Sequence, residues 1–432
     1  MLFFKKMIEY INIIISFFYF LFFSSFFIEK NKSNFFNNQV TSLVYLISFF
    51  LIISFFKVNH LFTFAIIIIL RIYFLLFINK GNDIIYKIKN NFLFTFIIFS
   101  VFFILSIDVV SNTQLGWDAQ NYFFEKVINF NEQKGFNDFR NNGAAHYPHL
   151  FEYLWSFFWK IHIFNYGQEY LGRIFFIYIY LLSLIYLVNN SVIKESFKIY
   201  FFLLLVIFSY KDIYFNGNLE ILAFSLFVIL SVDLSIIIKE KNYLNQIPRI
   251  LFTIFCLVWT KNESTVLVFI NLIIFYFFYP YRKKNILTYL FIPYVSMVLL
   301  RLFFNYYYKF EVVDYQFGKT LNFDLSYLVK GAIVISEELI KGLFKNLILL
   351  ISFLFIIINI FSKKKNIFYN FQLVQSLFFI TFLYCAFLFN LPDVEWQTKV
   401  AIDRVLFVLS GNLLISFNYY LARELKFCRN SS

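Results

Sequence analysis

Long apolar runs almost free of charge constrain this chain more than any other feature: 43–56, 61–78, 92–107, 348–360 and 377–389. Water drives such segments to aggregate, whereas a bilayer accepts them as helices. The composition agrees. Hydrophobic residues make up 61% of 432 residues, charged residues 15%, and the mean hydropathy is +0.71; soluble domains are about 45–50% apolar. A soluble chain of this length would instead divide into about two or three cores with amphipathic surfaces. The 69 Phe, with abundant Ile, Asn and Lys, have the look of an AT-rich genome, a bias that inflates hydropathy along the whole chain.

A membrane span needs roughly 20 apolar residues. On that rule the sequence predicts an all-α polytopic bundle of about 13 spans: 8–28, 40–56, 61–78, 92–110, 171–188, 199–210, 219–238, 249–260, 264–280, 286–304, 343–361, 370–390 and 403–421. The pair 249–260 and 264–280 reads as two short helices meeting at Lys261-Asn262-Glu263. With this span set the basic clusters fall on one side: Lys30/Lys32, Lys80/Lys87/Lys89, Lys194/Lys198, Lys239/Lys241/Arg249, Arg282/Lys283/Lys284, Lys363/Lys364/Lys365 and Arg423/Lys426/Arg429. The positive-inside rule makes that side the cytoplasm. The long loops 111–170 and 305–342 then lie outside; Lys5 and Lys6 argue mildly against the first span.

Other classes drop out. The net charge of +13 sits in short clusters between spans, which is topological punctuation and not a nucleic-acid face. Cys256, Cys385 and Cys428 are scattered and form neither a disulfide framework nor a CxxC pair. The N-terminal run has no small-residue cleavage site, so it reads as retained.

The first long loop is the natural place for chemistry, because loops of this length are usually functional or disordered, and Trp117, Tyr122, Trp155 and Trp159 argue against disorder. Its second half, 149–164, has the aromatic spacing of an amphipathic helix lying in the membrane interface, with Pro148 suited to start it; a further buried span is the other reading. Asp118, in Gly116-Trp117-Asp118-Ala119-Gln120-Asn121-Tyr122, emerges just after a span beside two aromatics that can tune its pKa. His146-Tyr147-Pro148-His149-Leu150-Phe151-Glu152 forms a second polar group. On the same side come Glu220 at a helix start, Lys261-Asn262-Glu263, and Asp403-Arg404 opening the final span. Taken singly, each has a plain reading as a cap, helix-end charge or snorkelling anchor. Together they are carboxylates able to take a proton from a hydroxyl beside cations able to hold a phosphate.

The order of these motifs resembles the C-type membrane glycosyltransferases (GT-C), the group of the protein mannosyltransferases and lipid A aminoarabinose transferases. The resemblance rests on Trp117-Asp118-Ala119 with Tyr122, Tyr147-Pro148-His149-Leu150, Thr260-Lys261-Asn262-Glu263-Ser264 and Asp403-Arg404. It runs from about 105 to 421, leaving the first three spans outside. Two departures stand out: Glu220 follows Asn216-Gly217-Asn218-Leu219 where relatives carry a shorter acid, and Ser264 replaces a glycine.

The resemblance implies an inverting transfer of a sugar from a polyprenyl-phosphate donor to a glycan, lipid or protein hydroxyl, outside the cytoplasmic membrane. Asp118 is then the general base and Glu220 its assistant. Lys261, Arg404, His146 and His149 hold the donor phosphate, and Tyr122, Tyr147, Glu152 and Glu263 support the acceptor or loop. Any divalent cation, Mg²⁺ or Mn²⁺, falls to Asp118 and Glu220. In this division 1–91 are N-terminal spans, 92–304 the catalytic core, and 305–432 the second loop and last spans. Two rivals predict other signals. An envelope polysaccharide polymerase or ligase favours catalytic Arg or His, and a transporter or lipid flippase places charge at the bilayer midplane in repeated helices. Asp233 and Arg71, the charges deepest in apolar runs, read as locally bonded or snorkelling near span ends.

Overall fold

Apolar runs without interior helix breakers dictate local structure almost throughout. The computed structural model describes residues 2–25, 35–73, 91–111, 114–139, 145–161, 168–191, 193–239, 246–278, 284–310, 325–361, 367–390 and 394–424, and their long elements are all helices. In chain order these are α1 (Leu2–Phe23), α2 (Phe35–Ser54), α3 (His60–Tyr73), α4 (Phe92–Ser111), α5 (Phe124–Asn131), α6 (Leu150–Lys160), α7 (Tyr170–Asn189) and α8 (Lys198–Ser209). They continue as α9 (Glu220–Lys239), α10 (Ile247–Val258), α11 (Asn262–Phe278), α12 (Lys284–Tyr307), α13 (Leu325–Lys345), α14 (Leu347–Phe361), α15 (Ile367–Asn390) and α16 (Val394–Glu424). The basic clusters at 30/32, 80–89, 282/283, 363–365 and 426/429 lie outside the described residues.

Among the described residues, eight helices are long and apolar enough to cross a membrane, or nine if the pair α13–α14, bent by 95°, is one broken span. Length and composition thus support a multi-pass membrane protein, with eight or nine of the thirteen expected spans met among the described residues. Each expected segment contains a helix, but α8 and α10 have only 12 residues each, short of the roughly 20 a span needs, and the described parts of α3 and α11 have 14 and 17. Hydropathy counts apolar residues across a break that backbone geometry does not cross. At Trp259-Thr260-Lys261 the chain leaves the helix, so α10 and α11 are two short helices as the sequence suggested.

The chain forms two compact units that divide within α9, after Ser225. The first comprises α1–α8 and the start of α9, without short pieces at 143–148 and 191–195. At its centre is α7, apolar on every side and buried from Tyr170 to Val188, as such a helix must be. It packs against α1, α2, α4, α6 and α8. Aromatic stacking joins it to α6, with Phe158 on Phe175 at 3.7 Å and Phe151 on Phe176 at 4.1 Å between ring centroids.

Helix α6 corrects a sequence expectation. It is no surface-lying amphipathic helix, because Leu150 through Phe158 are all buried. Its one interior carboxylate, Glu152, is met by Lys126 of α5 at 3.6 Å, and both side chains are fully buried. Nor does Pro148 begin it: the first helical residue is Leu150, with His149 as the cap.

The second unit holds the rest of α9, α10–α16 and the two short pieces. Its interior is tied by polar side chains between apolar helices. Ser231 donates to Asn412 Oδ1 at 2.7 Å, Gln372 Nε2 donates to the Asn412 carbonyl at 2.8 Å, and Gln375 donates to Asn271. Where no water competes, such bonds hold helices together. Asp233 and Arg71 are likewise not snorkelling. Asp233 is fully buried and accepts two bonds from Arg249, Nε to Oδ2 at 2.9 Å; in the first unit, Arg71 is 1% exposed and lies 5.4 Å from the ring centre of Phe22.

Helix α13 occupies part of what the sequence presents as the outer loop 305–342. Lys330, Glu337, Glu338 and Lys341 interrupt its apolar run and hide it from a hydropathy scan. Gly331 and Gly342 let it approach α15 and α16: a Cβ on Gly342 would stand 2.6 Å from Leu406 Cδ1.

Candidate functional site

Several of the sequence's candidate residues lie where turns of the first unit meet at one end. Ser54 at the end of α2 bonds His149 Nε2 at 2.8 Å, and His60 at the start of α3 bonds Ser156 at 3.0 Å. Tyr210, after α8, donates to Asp108 near the end of α4 at 2.5 Å. At the other end, Asn37 before most of α2 bonds Asn190 after α7, at 3.1 Å.

Asp118 directly precedes a π-helical turn, Ala119–Phe123, a form often found at functional sites. Neighbouring amides build that turn: Gln120 Nε2 donates to the Leu115 carbonyl and Asn121 Nδ2 to the Trp117 carbonyl, both at 2.8 Å. Asp118 is half-buried and Trp117 is 57% exposed, edge-on to Tyr122 at 5.5 Å. The turn before Glu220 comes up beside this segment. Gly116 N–H donates to the Asn216 carbonyl at 2.8 Å, joining the two stretches through their backbones.

Glycine is required at that meeting point. Gly217 has φ +88°, and a Cβ there would stand 2.8 Å from both Ala119 Cβ and Trp155 Cη2. Glu220, the first residue of α9, is 2% exposed. Asp118 and Glu220 thus belong to two segments joined by a backbone bond, one half-buried and the other buried. A divalent ion held there would take oxygens from these two carboxylates and from substrate or water. Among the described residues, no group of three or more His, Cys, Asp or Glu side chains comes together as a metal site.

Behind the turn stands a mount that sequence reasoning missed. Arg173 of α7 is fully buried; it forms a fork with Glu169, Nη2 to Oε1 at 2.7 Å and Nε to Oε2 at 2.9 Å, and reaches the Phe215 carbonyl at 3.4 Å. Trp155 Nε1 donates to the Glu169 carbonyl at 2.9 Å. Gly172 lets α7 close on α6, since a Cβ there would be 2.2 Å from the Trp155 carbonyl oxygen. Burial pushes the Glu169 carboxyl up while Arg173 pulls it down. The i, i+4 spacing of Glu169 and Arg173 at the head of an apolar run was the available signal.

His149 and Glu152 also lie in this unit. Glu152 is sealed beside Lys126 of the same loop, and burial pushes its carboxyl up, with Lys126 opposing.

The remaining candidates belong to the second unit. Lys261 is 6% exposed and 3.6 Å from Glu263. Arg301 of α12, unremarked in the sequence, closes the break between α10 and α11: it donates to the Val258 carbonyl at 3.3 Å, to Thr265 Oγ1 at 3.2 Å and to Asn262. One turn along α12, Asn305 donates to the His146 carbonyl at 3.3 Å, and the His146 and Tyr147 rings lie 4.8 Å apart. Consecutive turns of α12 therefore carry contacts to the loop holding Lys261 and Glu263 and to the piece holding His146 and Tyr147.

Arg404 needs a correction. Asp403-Arg404 does not open the last span, because α16 already begins at Val394. The preceding residues, with Glu395, Gln397 and Lys399, read as loop in a hydropathy scan but continue the same helix. Asp403 accepts Lys345 of α13 at 3.0 Å.

No family model, no curated protein and no solved structure matches this chain.

Proposed function

We propose that the protein is a multi-pass membrane glycosyltransferase of the GT-C type, moving a sugar from a polyprenyl-phosphate donor to an acceptor hydroxyl outside the cytoplasmic membrane. The observation that carries the reading is the backbone bond from Gly116 to Asn216, which brings the Asp118 segment alongside the turn leading into Glu220. Around it, Gly217, Trp155 and Arg173 fix both segments.

In this mechanism Asp118 accepts the proton of the acceptor hydroxyl as its oxygen bonds to the anomeric carbon. The bond from that carbon to the phosphate oxygen breaks, the electron pair leaves with the polyprenyl phosphate, and the configuration inverts. Glu220 orients the acceptor. The growing charge on the departing phosphate falls to the cations that the resemblance assigns to it, Lys261, Arg404, His146 and His149.

The test begins with a deletion strain, whose envelope glycans, read by mass spectrometry, identify the missing sugar and acceptor. With that pair in a reconstituted assay, Asp118→Asn is expected to slow transfer by about 10²–10⁴-fold, the usual contribution of a general base. Near wild-type transfer by Asp118→Asn would falsify the assignment.

A further inference from the structure

The first three helices lie outside the family resemblance, and the catalytic reading gives them nothing to do. A cleft between the α2–α3 turn and the end of α5 supplies a role for them. It is a small cleft, partly open to solvent. Its charged lining is Lys57 and Lys134, with the imidazole of His60 and the phenol of Tyr153 behind. Phe130, Phe136 and Val58 form apolar walls, and Ser54 and Gln133 add polar atoms.

Two further observations point to a ligand. First, His60 is 2% exposed and bonds Ser156 through Nε2, yet its Nδ1 has no hydrogen-bond partner among the described residues. A bound group is one way to satisfy a buried ring nitrogen left so. Second, Lys57 forms no ion pair among the described residues, while Lys134 is held at the rim by Glu132 at 2.7 Å. His149, a phosphate candidate from the sequence, stands directly behind, bonded to Ser54 and packed on Phe136 at 4.9 Å between ring centroids.

We propose that this cleft binds a phosphoryl group, with Lys57 and Lys134 supplying charge and His60 Nδ1–H donating from the wall. Glu132 holds Lys134 from one side, leaving other ammonium protons to donate, and Asp138 accepts the Gly135 N–H at 2.8 Å. The group belongs either to an anionic lipid or to a soluble phosphate ester. The site shares no residue with Asp118 or Glu220, so it stands or falls apart from the transfer reaction.

The test uses the purified full chain. Binding of inorganic pyrophosphate is measured by calorimetry in detergent, and lipid retention by native mass spectrometry after incubation with vesicles of phosphatidylglycerol or phosphatidylcholine. The wild type is expected to bind pyrophosphate, or to retain phosphatidylglycerol over phosphatidylcholine, more weakly as salt rises. Pyrophosphate binding without lipid preference identifies a soluble phosphate ester, and lipid preference alone identifies a headgroup. Each of Lys57→Gln and Lys134→Gln is expected to weaken binding by about tenfold, as for a lost charge-assisted hydrogen bond. Both lysines are exposed, so the melting temperature should hold. Gly135→Glu is the second variant: a Cβ there meets nothing closer than 3.9 Å, where Lys57 Nζ and Asp138 Oδ2 lie. Its carboxylate is expected to neutralise Lys57 and abolish binding while the fold persists. Binding of neither probe by the wild type, or unchanged binding in the double lysine variant, overturns the proposal.

Discussion

At the residue scale, Lys126 and Glu152 are a fully buried ion pair in the first unit. They meet at 3.6 Å with no exposure on either side, a separation that recovers little of what desolvating two charges costs. Burial outweighs the pull of Lys126 and raises the Glu152 carboxyl above its ordinary range. A carboxyl raised in the folded state favours folding while protonated. Its contribution is complete below the unfolded value of about 4.5 and declines as pH climbs through the folded value. Glu152→Leu alone strands a buried ammonium and is expected to lose about 3–5 kcal/mol, whereas the double change with Lys126→Met is expected to be neutral or stabilising by about 1–4 kcal/mol. Melting curves in detergent should show the advantage of the double variant growing as pH rises from 4.5; a constant difference would sink this account.

At the element scale, the joints between helices matter more than the helices. Gly217 combines a left-handed φ with contacts at 2.8 Å, so Gly217→Ala must shift Ala119, Trp155 or the turn itself. The expected loss is about 1–3 kcal/mol, the range for overpacking. Sugar transfer should fall with it, because the turn leads into Glu220. The α10–α11 break depends on Arg301, whose planar fork serves three acceptors on both sides. Arg301→Lys keeps the charge and loses the fork, so Arg301→Lys and Arg301→Ala are both expected to destabilise the second unit, by about 1–3 kcal/mol. If Arg301→Lys melts like the wild type, charge alone is what the break requires.

At the scale of the whole molecule, the turns of the first unit predict a topology. Bonds between Ser54 and His149, and between Gly116 and Asn216, put 54, 116, 149 and 216 at one end, while Asn37 and Asn190 mark the other. Reporter tags after Gly135 and after Gly217 are expected to read from the same side of the membrane, and a tag after Asn190 from the opposite side. The proposed reaction further requires the first side to be extracytoplasmic. Split readings from 135 and 217 would contradict the turn cluster, and a shared cytoplasmic reading would contradict only the proposed reaction.

Periodicity and charge alone were enough to read a helical membrane chain with breaks near 111, 190 and 261, because lipid admits little else for runs such as 43–56 and 92–107. Asp118 and Glu220 were also legible, since an acid just past an apolar run is conspicuous. Which helices are long enough to span, and that α16 begins before Asp403, depended on where backbone hydrogen bonding continues, and hydropathy does not record that. The reach of Arg173 to Phe215, the sealed Lys126–Glu152 pair, the Arg301 clasp and the cleft at Lys57 all join residues distant in sequence. Nothing local distinguishes such side chains from solvated ones. Their neighbours exist only once the helices have packed, and burial then decides which charges must be paired.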